Sequence, residues 1–190
     1  MTTMDKRRGF SAMAAEYHAL AESHPIVIWM RQRIREMAEA CLAPGASLLE
    51  INAGSGLDAA YFAAKGLRVH ATDVAPGMLE ALAERAADPQ LAGRLTCEAL
   101  SFDRLDEAQG GPYDLVFSNL GGLNCTDDLR AVASGLPRVL KPGGHILWVV
   151  MPPVCPWEMA QALRGHVSTA KRRFSKQGTV ADVGGGSVRT

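Results

Sequence analysis

Residues Ser47 to Asp73 read SLLEINAGSGLDAAYFAAKGLRVHATD, and the fold follows from this stretch. Ser47 to Ile51 is a short apolar run of the kind a buried parallel strand carries. Ala53-Gly54-Ser55-Gly56 must then turn sharply and leave room for something to lie against the backbone. Leu57 to Lys65 has helical spacing, with Leu57, Ala60, Tyr61 and Ala64 on one face, and Gly66 is placed to end that helix. Leu67 to Thr72 reads as a second strand ending on Asp73. The unit is β-α-β, with a glycine turn after its first strand and an acid after its second.

Such a unit suits a nucleoside. Gly54 and Gly56 let the main chain approach a ligand with no Cβ in the way, and the next helix offers free N–H groups. Asp73 can accept both ribose hydroxyls, in charge-assisted bonds of roughly 1.5–3 kcal/mol each. Gly54 to Ala59 also fits G-x-G-x-x-A with an acid about 20 residues on, a match that by itself does not choose between cofactors. Glu50 does discriminate. An acid at the tip of the first strand repels a pyrophosphate and welcomes a cation.

Leu48-Leu49-Glu50-Ile51-Asn52-Ala53-Gly54-Ser55-Gly56 resembles the glycine motif of class I S-adenosylmethionine-dependent methyltransferases, in particular the type 11/25-like small-molecule enzymes. Asn52 stands where that family has its first glycine, and Asn accepts left-handed backbone better than most residues. The resemblance continues through Asp73, the helix start at Pro76 to Leu79, the strand Tyr113-Asp114-Leu115-Val116-Phe117-Ser118 and the turn Lys141-Pro142-Gly143-Gly144. It spans about Phe10 to Met151. It implies a Rossmann-like, doubly wound α/β fold: a mainly parallel sheet with helices on both faces. It also implies S-adenosyl-L-methionine as cofactor and S-adenosyl-L-homocysteine as product.

The implied cofactor contacts are Glu50, Asn52, Ala53, Gly54, Gly56 and Asp73, then Val74 and Met78 against the adenine. Leu100, Ser101 or Asp103 would meet the adenine amino group, the first two through backbone. Ser118, Asn119 and Asn124, at the carboxyl end of the fourth strand, are expected to face the reactive methyl or the acceptor. Asp114 is expected to be structural. Tyr17 and His18, on a helix from Phe10 to Glu22, are candidate lid residues and, with Asn119, the candidates for a catalytic role; Phe10 and Met13 read as packing.

A second helix is expected from Pro25 to about Leu42. Ile26, Trp29, Met30, Ile34, Met37, Ala38 and Cys41 would face inward, and Arg31, Arg33, Arg35, Glu36 and Glu39 would face solvent. Later expectations are a third helix from Pro76 to about Asp88 and a third strand over Arg94 to Leu100. A helix capped by Thr126 would run to Leu140 with Leu129, Val132, Leu136, Val139 and Leu140 inward. The fifth strand would run from His145 to Met151. Beyond it, Pro152 to Trp157 reads as a rigid connector, Glu158 to Phe174 as a helix, and Gly178 to Thr190 as two short strands.

The chain reads as one domain, residues 1–190: an N-terminal helical cap (1–45), a cofactor-binding core (46–151) and a partial C-terminal region (152–190). The family's sheet has seven strands, so the sheet is expected to be incomplete at its C-terminal edge, with homodimerisation through that exposed edge. The 20 acidic and 20 basic residues balance, which disfavours nucleic acid as partner. No segment has the length of a membrane span and the N-terminus lacks a signal peptide's apolar core. The four cysteines form no C-x-x-C pair, so neither a metal site nor a disulfide framework is expected. Cys41, Cys97 and Cys125 read as core or near-core thiols of a cytoplasmic protein.

The reading is therefore an enzyme that moves a methyl group to a small-molecule acceptor by in-line displacement. Two alternatives stand beside it. An NAD(P)-dependent Rossmann oxidoreductase is favoured by G-x-G-x-x-A and opposed by Glu50 and the Lys141–Gly144 turn. A non-catalytic S-adenosylmethionine-binding or interaction protein is favoured by the short sheet and the lack of a clear base.

Overall fold

The computed structural model of the protein describes residues 23–126, 128–152, 160, 180–183 and 186–189. Tyr17, His18 and the expected helix around them lie outside the described residues, as does nearly all of the expected helix from Glu158. The elements are α1 (Pro25–Glu39), β1 (Ser47–Ile51), α2 (Leu57–Ala64), β2 (Arg68–Asp73), α3 (Pro76–Ala86), β3 (Leu95–Ala99), β4 (Tyr113–Ser118), α4 (Leu129–Ser134), α5 (Leu136–Val139) and β5 (Leu140–Trp148). Two 3-10 turns, Phe102–Glu107 and Gly122–Cys125, flank β4. β6 (Val180–Val183) and β7 (Gly186–Arg189) pair antiparallel with each other, as expected for the tail.

The main sheet has the order β3-β2-β1-β4-β5 and every pairing in it is parallel. Strand alternation feeds two cores. Leu48, Val69, Leu115 and Phe117 face α1, α2 and α3, where they meet Ala38, Phe62 and Leu82. The Phe62 and Phe117 rings pack edge to face at 5.2 Å, a favoured aromatic geometry. Leu49, Ile51 and Val116 face the other way, onto Leu105, Val132 and Val139. Helices therefore cover both faces, and the doubly wound α/β expectation holds, with an open sheet.

Several local expectations are corrected. On α2 the buried residues are Asp58, Ala59, Phe62 and Ala63, a stripe rotated from the one periodicity indicated, because the sheet takes the Phe62 side. The helix after β4 is broken at Gly135, where a Cβ would come within 2.8 Å of the Leu105 side chain and 2.9 Å of the Asp106 nitrogen. Its first turn is capped by Asp128, which accepts from the Arg130 N–H; Thr126 instead accepts from the Asp128 N–H at 3.2 Å. Leu129 is exposed. Lys141 to Gly144 lies inside β5 rather than before it, as an irregularity between the pairs Tyr113–Leu140 and Leu115–His145. Cys41 is exposed, while Cys97 and Cys125 are half-buried.

Helix α1 departs most. Trp29 is 64% exposed and Met37 55%, and Ile26 and Met30 are exposed with them. Arg31 and Ala38 are the buried residues. Arg35 is half-buried and Glu39 takes the Tyr61 hydroxyl at 2.8 Å. The helix is turned so that its arginine face meets the domain. A partner for those arginines, Asp58, overrides the apolar periodicity.

Candidate functional site

The strand order reverses between β1 and β4, and in open α/β sheets ligands bind outside the carboxyl ends of the strands at such a point. There a cleft is lined by Glu50, Asn52, Ala53, Gly54 and Ser55 after β1, by Asn119 and Leu120 after β4, and by Arg31, Leu57 and Asp58 from the helices. Five of the sequence candidates meet in it: Glu50, Asn52, Ala53, Gly54 and Asn119.

The glycine turn is shaped by left-handed backbone. Asn52 has φ 51°, Gly54 φ 57° and Gly56 φ 77°. Asn52 tolerates this conformation as its residue type allows, and its Nδ2 donates to Ser118 Oγ at 2.9 Å. Ser118 is thereby fully buried beneath Asn52. Gly56 does not line the cleft. A Cβ there would fall 2.4 Å from Leu82 Cδ1, so its contribution is close packing of α2 on α3.

Asp73, at the end of β2, holds the turn. Its Oδ2 accepts from Gly54 N at 2.8 Å; its Oδ1 accepts from Val74 N at 2.7 Å and Ala75 N at 2.9 Å. Three of the roughly four lone-pair positions of a carboxylate are thus used, leaving one on Oδ2. Met78 is buried on α3, with its sulfur 3.8 Å from where a Gly54 Cβ would sit. Val74 is half-buried beside Asp73; Leu100 is buried and Ser101 half-buried just past β3. These four border the β2 and β3 ends rather than the cleft between β1 and β4. Asn124 is committed elsewhere: its side chain donates to Met151 O at 3.0 Å and accepts from Met151 N at 2.8 Å, tying the loop after β4 to the segment after β5.

The charged centre is Asp58, which the sequence reading did not single out. It is 2% exposed. Its Oδ1 accepts from Arg35 Nε at 2.7 Å, and its Oδ2 accepts from Arg31 and, at 3.0 Å, from Asn119 Nδ2. Arg35 also donates to Leu57 O at 2.9 Å and lies 4.1 Å from the Tyr61 ring centroid. Its signal in the sequence was an acid in the first turn of α2, which a helix dipole alone would explain. Asn119 Oδ1 in turn accepts from Leu120 N at 2.7 Å, and Leu120 has φ 52°.

Three buried polar atoms in this cleft have no hydrogen-bond partner: Glu50 Oε2, Asn52 Oδ1 and Arg31 Nε. Such orphans are uncommon in folded proteins and call for an explanation. Glu50 is 3% exposed. Burial first, then the Asp58 carboxylate, with Asp73 adding, push its carboxyl well above the usual range; Arg31 and Arg35 oppose this. Among the described residues no cluster of His, Cys, Asp or Glu could hold a metal ion.

An open parallel sheet with a glycine turn and an acid-lined cleft at its switch point defines an α/β nucleotide-binding protein. Residues 49–146 match the methyltransferase domain family, just over half of the 190 residues, and the chain belongs to that family. It is 31% identical over 151 residues to a malonyl-[acyl-carrier protein] O-methyltransferase of Serratia marcescens, covering 78% of this chain and 56% of that protein. The glycopeptide N-methyltransferase MtfA complexed with S-adenosyl-L-methionine superposes with a TM-score of 0.53 at 25% identity, over 62% of this chain and 53% of that one. A TehB-like SAM-dependent methyltransferase from Corynebacterium glutamicum shares the fold with a TM-score of 0.56 at 18% identity, over 84% of this chain and 79% of that one. The chain spans about half the length of the malonyl-[acyl-carrier protein] O-methyltransferases it matches, 56% and 50%.

Proposed function

We propose that this chain binds S-adenosyl-L-methionine in the cleft between β1 and β4 and moves its methyl group to a small-molecule acceptor. The observation that carries this reading is the trio of unpaired buried atoms. Two acceptors, Glu50 Oε2 and Asn52 Oδ1, and one donor, Arg31 Nε, form the complement of an amino-acid zwitterion. Glu50 and Asn52 would take the ammonium and Arg31 the carboxylate, in charge-assisted bonds. The remaining lone-pair position on Asp73 Oδ2 would take a ribose hydroxyl, and Val74 and Met78 would border the adenine, with Leu100 and Ser101 beyond. When bound, the cofactor supplies a methyl group on a cationic sulfur, a reactive centre that already has a good leaving group.

The chain's own contribution is orientation and exclusion of water. Effective molarities of about 10⁵–10⁸ M indicate the scale available from positioning. Asp58 fixes Asn119, and Asn119 fixes Leu120, so the wall after β4 is set before the acceptor arrives. Tyr17, His18 and Asn119 remain the candidates for handling an acceptor proton. The family relationship and Glu50 weigh against a dinucleotide, whose pyrophosphate that carboxylate would repel when ionised. Among the described residues no helix is long and apolar enough to cross a membrane, and the wider reading is of a cytoplasmic enzyme that pairs with itself through the outer edge of β5.

Calorimetric titration with S-adenosylmethionine, S-adenosylhomocysteine and NAD(H), followed by mass-spectrometric detection of methyl transfer to candidate acceptors, tests the reading. Binding of the first two ligands with transfer is expected. Binding of NAD(H) alone would sink the proposal, and binding without transfer to any acceptor would favour an interaction role.

A further inference from the structure

Glu50 is placed unlike an ordinary ligand-binding carboxylate. It sits at the end of β1, nearly without solvent, and its Oε2 has no partner. The nearest cations are already engaged. Arg31 and Arg35, from α1, both donate to Asp58, on α2, which lies on the same side of the cleft. Asp73, at the end of β2, adds a further negative charge, itself bonded to three backbone N–H groups. A second bare carboxylate beside this group has neither water nor a free cation to stabilise it.

We propose that Glu50 is a proton-exchanging receptor for positive charge: a carboxylic acid when no cation is near, it gives up its proton as a cationic ligand enters. The proposal rests on the cofactor reading above and deepens it. The O–H bond of Glu50 breaks, the proton passes to solvent, and the ligand's ammonium donates to the carboxylate so formed. The direction in which burial and Asp58 push this carboxyl agrees. Binding of a ligand with an α-ammonium group then becomes more favourable as pH rises, because less work is needed to remove the proton. The association constant should climb by up to about tenfold per pH unit where the acid is the dominant form. Charge is thereby sensed at the cost of a proton, and a neutral ligand of the same shape gains nothing from the exchange.

The experiment is calorimetric titration of S-adenosylhomocysteine, which keeps the ammonium and lacks the sulfonium, between about pH 5 and pH 7, a range chosen from ordinary side-chain and α-amino titrations. Phosphate and imidazole buffers differ in ionisation enthalpy, so the difference in measured heat counts released protons. The wild-type chain should release up to about one proton per ligand, as this linkage requires, and bind more tightly as pH rises. Glu50→Gln should release none and bind with no pH trend. Binding with equal heats in both buffers and a flat pH profile overturns the proposal but leaves the cofactor reading standing. Proton release that persists in Glu50→Gln also overturns it. No binding at all overturns the cofactor reading and the coupling together. A separate infrared measurement on the ligand-free chain should show a protonated carboxyl stretch that Glu50→Gln removes, and its absence counts against the proposal even if that variant folds poorly.

Discussion

Asp58 joins two guanidinium groups and one amide on its two oxygens while 2% exposed. Asp58→Ala would leave Arg31 and Arg35 facing the domain without their counter-charge and free Asn119 to rotate. Breaking a buried pair from one side typically costs about 3–5 kcal/mol. Urea unfolding should show a loss on that scale, and a variant as stable as the parent would mean that water already reaches the arginines. The position was hard to read from the chain because its partners lie 23, 27 and 61 residues away, while periodicity and fingerprints report only neighbours. Asn52 was easier to read. The left-handed conformation of a tight turn leaves few residue types, and Asn at the point where a glycine is usual announces it.

Elements were legible where burial is symmetric and misread where it is not. β1, β2 and β4 sit between two helical layers, so their apolar runs had one interpretation. Helix α1 presents Ile26, Trp29, Met30 and Met37 to the outside, and its hydrophobic stripe pointed the wrong way because an ion cluster decided the orientation. Strand β4 shows an electrostatic tie that the sequence did announce as structural. Asp114 Oδ2 accepts from Ser47 N, Ser47 Oγ and Lys141 Nζ, each at 2.8 Å, and so joins β1, β4 and β5. The Lys141 ammonium first, then the Ser47 backbone N–H, lower its acidity constant from 3.8 to about 2. A carboxyl whose folded value is depressed stabilises the fold above its unfolded value and loses that contribution as pH falls through the folded one. The stability gap between the parent and Asp114→Asn should therefore be full above pH 3.8 and close as pH falls to about 2. Denaturant midpoints measured across that window check it, and a gap that does not change with pH would assign the tie to shape rather than charge. With side chains about a third exposed, the effect is screened by solvent.

At the scale of the molecule, the order of motifs along the chain was enough to foresee the parallel sheet, because a β-α-β series closes with one handedness and few topologies. The same order placed the glycine turn and the loop after β4 on either side of the reversal, where the cleft lies. What it could not foresee was the wall of that cleft, since Arg31 belongs to a helix outside the β-α-β series. Among the described residues, nothing is hydrogen-bonded to the outer edge of β5, and an open edge is a template for another chain. Sedimentation velocity over a concentration series should show a dimer; a single monomeric species at the highest concentration would count against edge pairing. The Asn124–Met151 clasp bears on how such a domain can diversify. It fixes the point at which the chain departs from β5 next to Leu120, on the rim of the cleft. Whatever sequence continues from there starts beside the reacting end without touching the turn that holds the nucleoside. A lineage could rewrite the continuation and thereby acquire a new clientele while inheriting the cofactor apparatus unaltered.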